Sequence, residues 1–188
     1  MTLSILIPYV KQHEGFLKDL LDDLYLQIKG RYTEVEVLLD GDEDAETGTK
    51  RNRLLQRAIG KYIVFIDADD EVMPYYVDEI LNVVESDCDC ISFEGIMTTD
   101  GANKIGWELS KDFQNDTVTR GGYPFYIRKT NHISPVKREL ALQTMFPDKS
   151  NAEDKDYSDR LNPLLKSEYK IGLPMYHYKF ISHHKTYQ

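Results

Sequence analysis

Between Leu3 and Phe93 the chain alternates short apolar runs with stretches in which apolar residues recur at helical spacing, and few architectures accommodate that rhythm. Leu3 to Pro8 is an apolar run ended by proline, as in a strand buried on both faces. Phe16, Leu17, Leu20, Leu21, Leu24 and Ile28 then mark one face of an amphipathic helix, with Lys18, Asp19, Asp22 and Asp23 on the other. Val35 to Leu39 reads as a second strand, closed by Asp40-Gly41-Asp42-Glu43-Asp44. A helical pattern through Leu54, Leu55, Ala58 and Ile59 stops at Gly60, read as its C-terminal cap, and Tyr62 to Ile66 follows as a third strand. Pro74 opens a helix carrying Val77, Ile80, Leu81 and Val84, and Cys90 to Phe93 is the next strand. The alternation predicts an α/β domain with a mostly parallel central sheet flanked by helices, whose ligands collect at the carboxyl ends of the strands.

The rest of the chain is less regular. Thr98 to Gly122 is polar, with Trp107 as an isolated large apolar residue, and reads as a loop or irregular hairpin. Helical patterns begin near Ser134-Pro135 and near Asn151-Ala152, and Leu173 to Phe180 is strand-like. At 188 residues, one domain is expected.

Charge limits the partners. With 32 acidic against 23 basic residues, the net charge of −9 argues against nucleic acid or an anionic membrane. An acidic chain can still hold a diphosphate if a divalent cation stands between carboxylates and phosphate oxygens. The longest apolar runs fall far short of the roughly 20 residues that cross a bilayer. Met1 leads directly into the first strand without a secretion signal, and Cys88 and Cys90, one residue apart on a strand, are geometrically poor disulfide partners, so a reducing cytoplasm is expected.

The third strand delivers Asp67, Asp69 and Asp70 to its exposed end. Mg²⁺ and Mn²⁺ take one or two carboxylates plus substrate phosphates, which this cluster suits; the same run also suits a solvated strand end that caps the next helix. The acidic stretch from Asp40 is not a calcium-binding EF-hand loop, because Ala45 stands where glycine is required and Arg51 where the bidentate glutamate belongs. Lys50 to Arg53 is a local basic cluster able to meet a base or phosphate, or to pair with nearby acids. Glu153-Asp154 fits a helix N-terminus by charge alone, and equally a general base at Asp154. His132, His177, His183 and His184 are candidate metal or phosphate contacts, while Tyr176, Tyr178 and Phe180 read as sheet packing.

Together these segments resemble family 2 glycosyltransferases of the GT-A fold, a Rossmann-like single domain. Ser4 to Tyr9 looks like that family's opening strand, Asp40 like its base-contacting acid, and Arg51-Asn52 with Ala58 to Asp70 like the stretch ending in its DxD motif. Ser134 to Leu140 resembles its lysine-containing acceptor segment, and Phe146-Pro147-Asp148 followed by Glu153-Asp154, Tyr157 and Arg160 resembles its ED segment. The resemblance implies a donor half over residues 1–97 and an acceptor half over 98–188. It assigns donor contacts to Pro8, Tyr9, Asp40, Arg51, Asp67, Ala68 and Asp69, and metal contacts to Asp69, Asp67 and His184. Lys137 and Glu153 would meet the acceptor, and Asp154 would be the base. The implied reaction is inverting, metal-dependent (Mn²⁺ or Mg²⁺) transfer from a sugar nucleotide, foremost a UDP-sugar, to a glycan, lipid-linked or protein acceptor. A nucleotidyltransferase and a non-catalytic sugar-nucleotide-binding module are the alternatives; the glycine-rich phosphate loop of the former is missing after the first strand, where Tyr9-Val10-Lys11-Gln12-His13 stands. The short segment between Asp40 and Arg51 leaves no room for the extra strand many family members carry there.

Overall fold

A computed structural model describes residues 1–181. The first three strands are β1 (Leu3–Pro8), β2 (Val35–Asp40) and β3 (Tyr62–Phe65), and they pair in parallel with β1 in the middle. Helices α1 (Glu14–Ile28) and α2 (Thr47–Arg57) connect them. After the short β4 (Glu71–Val72) come α3 (Tyr76–Val83) and β5 (Cys90–Thr99), and then β6 (Ala102–Leu109), β7 (Asp116–Arg120) and β8 (Tyr123–Arg128). The chain continues through β9 (Val136–Lys137), α4 (Arg138–Thr144), α5 (Glu153–Leu161) and β10 (Glu168–Phe180).

These strands form one mixed sheet in the order β2-β1-β3-β9-β5-β6-β8-β7, with β10 paired in parallel along β5 and antiparallel to β4. The parallel part that the alternation predicts is β2-β1-β3; β9 joins it antiparallel to β3, and β6 and β7 add further antiparallel pairs.

Side-chain alternation decides the layers. Leu3, Ile5, Ile7, Tyr62, Val64 and Ile66 face α1 and α3, whereas Leu6, Ile63 and Phe65 face the layer containing Leu54 and Leu55 of α2, Ala141 of α4 and Tyr157 and Leu161 of α5. Because both faces are covered, β3 is apolar throughout and β1 is apolar but for Ser4, and each large side chain so buried contributes about 1.5–3 kcal/mol. No helix among the described residues is long and apolar enough to cross a membrane.

Three local expectations change or narrow. The hairpin reading of residues 98–122 holds better than the loop: β5 runs on to Thr99, Asp100-Gly101 turns it antiparallel into β6, residues 110–115 form a loop, and Gly121-Gly122 turns β7 into β8. The strand signal there is the alternation Ile105, Trp107, Leu109, the last two buried in the core beside Phe93 and Tyr176. The segment at Ser134-Pro135 leads into β9, a strand of two residues that exists only because β3 and β5 flank it, and the helix starts at Arg138.

The third change concerns Gly60. Helix α2 ends at Arg57, Ala58 is extended and Ile59 is exposed, so Gly60 caps nothing. It lies against the start of β1 instead, where its N–H donates to Ser4 Oγ at 2.8 Å and a Cβ would fall 2.6–2.8 Å from Ser4 Oγ, Ser4 N and Leu3 C. Close approach, not left-handed backbone, requires glycine here.

Candidate active site

Asp67 follows β3 at the carboxyl edge of the parallel strands, and two cavities meet at it. The smaller, about 150 Å³, is lined by Pro8, Tyr9, Val10, His13, Thr47, Lys50, Asp67, Ala68 and Asp69. The larger, about 540 Å³, has Asp67, Asp70, His132, Asp154, Tyr176 and Tyr178 at one side and Trp107, Tyr126 and Arg128 from the β6 and β8 ribbon among its other walls.

Asp67 is held from both oxygens. Arg51 donates to Oδ1 at 2.8 Å, and His132 Nε2 lies 3.1 Å from Oδ2. Burial pushes this carboxyl up, but the charges and hydrogen bonds of His132 and Arg51 outweigh it and hold Asp67 well below the usual carboxylate range. The other guanidinium nitrogen of Arg51 donates to Glu153 Oε1 at 2.7 Å, so a buried arginine ties the end of β3 to the start of α5. Glu153 points inward, leaving the half-buried Asp154 to line the larger cavity. Ala152 enters this helix at φ 57, a left-handed conformation that costs a non-glycine residue energy.

Asp70 takes the opposite state. Burial and the charge of Asp67 push its carboxyl well above its ordinary value, although it accepts hydrogen bonds from Tyr176 Oη at 2.8 Å and Lys179 N at 2.9 Å. Tyr176 Oη also accepts from the Asp67 N–H at 3.2 Å, so β10 locks the acidic loop. Burial, then the negative charges of Asp70, Asp67, Asp69 and Asp154, push the Tyr178 hydroxyl up to about 12. All four carboxylates thus act on one side chain.

Pro8, Tyr9, Asp67, Ala68 and Asp69 therefore line one cavity, and Asp154 joins Asp67 across the larger one. Arg51 and Glu153 reach the site as buried supports, with their polar atoms turned to each other and to Asp67, rather than as open ligand contacts. Asp40 borders a separate groove with Gly41, Arg53, Gln56 and Arg57, near the first because the Tyr9 ring lies over Gly41, where a Cβ would fall 2.2 Å from it.

Lys137 does not join the site. It pairs with Tyr62 at the start of β3, five residues or about 16 Å of strand from Asp67, and its ammonium lies 3.3 Å from both Asp87 and Asp89. The parallel strand direction sends the two ends of β3 to opposite edges of the sheet. His177 bonds Glu71 and Thr98, away from both cavities, and His183 and His184 lie outside the described residues. Sequence reasoning missed what Lys50, His132, Asp70 and Tyr176 do; the signals were a basic cluster, a lone histidine, an acidic run and an aromatic alternation, none of which names a partner.

No group of three or more His, Cys, Asp or Glu side chains among the described residues is arranged to hold a metal. Asp67 is engaged on both oxygens, and Asp69, with its side chain 24% exposed, is the other carboxylate of the small cavity. This donor set fits a hard cation that takes one or two carboxylates and completes its shell with phosphate oxygens, not an all-protein cage.

Residues 45–141, just over half of the chain, match the sequence profile described as glycosyl transferase family 2. The chain belongs to that family. Family 2 membership agrees with solved structures: TarS 1–349 from S. aureus superposes with a TM-score of 0.67 at 17% identity, covering 95% of this chain and 60% of that one. The same protein in complex with UDP-GlcNAc gives 0.63 at 15% identity, covering 95% and 58%, and in complex with UDP 0.67 at 18%, covering 95% and 60%. The fold is shared, and this family 2 chain spans about 60% of the length of those relatives. No curated protein sequence matches it.

Proposed function

We propose that this chain is an inverting glycosyltransferase that carries a sugar from a nucleoside diphosphate donor, with its phosphates in the small cavity, to an acceptor hydroxyl in the larger one. The observation that carries the reading is Asp67 as the common wall of both cavities, because a transferred group must pass from a donor site to an acceptor site at one shared boundary. The UDP and UDP-GlcNAc complexes of TarS support a UDP-sugar as donor. Residues 1–97 serve chiefly the donor and 98–188 chiefly the acceptor.

In this reading the acceptor oxygen attacks the anomeric carbon on the face opposite the diphosphate. The carbon–oxygen bond to phosphate breaks, and Asp154 takes the hydroxyl proton. Unpartnered buried polar atoms, Trp107 Nε1 and His132 Nδ1, belong to residues lining the acceptor cavity, where an acceptor's hydroxyls would satisfy them. Asp69, backed by Asp67, would hold Mn²⁺ or Mg²⁺ at the donor phosphates. When bound, the cation neutralises charge gathering on the leaving diphosphate.

The test is ligand-linked stability. UDP with Mn²⁺ should raise the melting temperature by more than either alone, and Asp69→Ala should remove the increment due to the metal. A melting curve indifferent to UDP, with and without Mn²⁺, would sink the proposal.

A further inference from the structure

Lys50 is buried to 3% exposure in the first turn of α2. Its Nζ donates to the Tyr9 carbonyl at 2.9 Å. An ammonium has three donors, and no carboxylate of the described residues lies within 4.0 Å of this one. Its neighbours on the helix differ. Arg51 pairs with Asp67 and Glu153, and Arg53 with Asp42. A buried charge with no counter-ion is expensive unless something else supplies the opposite charge. Lys50 also lines the small cavity, whose carboxylates are Asp67, already engaged by Arg51 and His132, and Asp69, which lies 3.8 Å from His13 Nδ1.

We infer that Lys50 is a phosphate-binding residue, whose ammonium meets the diphosphate of the donor directly. The inference rests on the donor reading above and deepens it. Part of the charge on the diphosphate is then neutralised by the protein itself, so a nucleoside diphosphate binds better than its nucleoside even without a divalent cation. An acidic chain thereby carries one cation where its ligand needs it, and the hydrogen bond to Tyr9 holds that cation in place.

Calorimetric titration of wild type and Lys50→Met with UDP and with uridine, in EDTA and in Mn²⁺, tests this. Wild type in EDTA should prefer UDP to uridine. Lys50→Met should weaken UDP by about tenfold or more and leave uridine unchanged, the loss anticipated for one charge-assisted hydrogen bond. Equal weakening of UDP and uridine would mean that Lys50 only props the Tyr9 turn, and unaltered UDP binding would remove it from the site; either overturns the inference. Failure of wild type to bind UDP even with Mn²⁺ would overturn the donor reading itself. Should Lys50→Met not fold, ¹⁵N spectra of the wild-type lysine ammonium groups decide: the Lys50 signal should move with UDP in EDTA and stay with uridine, and a signal indifferent to UDP refutes the contact.

Discussion

Arg51 and Asp67 lie sixteen residues apart in sequence and are joined by a 2.8 Å hydrogen bond, with the arginine side chain 4% exposed. Since the same guanidinium holds Glu153, one buried cation fixes the acidic loop after β3 relative to the helix that presents Asp154. Removing it strands two carboxylates. Arg51→Met should therefore destabilise the fold by about 3–5 kcal/mol, and Arg51→Lys, which keeps charge but not the fork, by less. Urea unfolding measures both, and a loss below about 1 kcal/mol for Arg51→Met would show that the tie is unimportant.

Asp154 has a lighter structural role. It is half-buried, and its Oδ1 accepts the adjacent Lys155 N–H at 2.7 Å. Asp154→Asn should leave the melting temperature and UDP affinity near wild type while lowering turnover of UDP-GlcNAc by about 10²–10⁴, the usual contribution of a general base. Turnover is read as released UDP, and near-normal release would dismiss Asp154 as the base.

Asp70 makes stability depend on pH with an unusual sign. Burial and the Asp67 charge raise its folded pKa above the unfolded value of about 4, so the native state keeps a proton that the unfolded state loses. The Asp70 contribution is then fully present below that unfolded value and falls as pH rises towards the folded one. In EDTA, Asp70→Asn should melt above wild type at pH 7, with the difference closing near pH 4. A constant deficit at every pH would mean that its hydrogen bonds to Tyr176 and Lys179 matter more than its charge.

Gly60 distinguishes close packing from helix capping. Because a Cβ there meets Ser4 and Leu3, backbone included, Gly60→Ala and Gly60→Asn should both destabilise, Ala by about 1–3 kcal/mol. Asparagine is tolerated at left-handed cap positions, so a Gly60→Asn protein as stable as wild type would restore the capping account. Thermal unfolding decides.

The sequence by itself determined β1 to β3, the helices between them and the arrival of Asp67 and Asp69 at a strand end, because period-2 and period-3.6 patterns are set by local geometry. It also marked Glu153-Asp154 at a helix start. Tertiary structure decided the rest: that Ala102–Leu109 and Asp116–Arg120 pair into the sheet, that β9 exists between two flanking strands, and that Lys137 sits at the far edge. It also decided which cation finds which acid. Arg51, Lys50 and Arg53 are near neighbours on one helix, yet one turns to Asp67 and Glu153, one to a carbonyl beside an open cavity and one to Asp42. Such pairings depend on contacts between residues far apart in the chain, and local sequence carries no record of them.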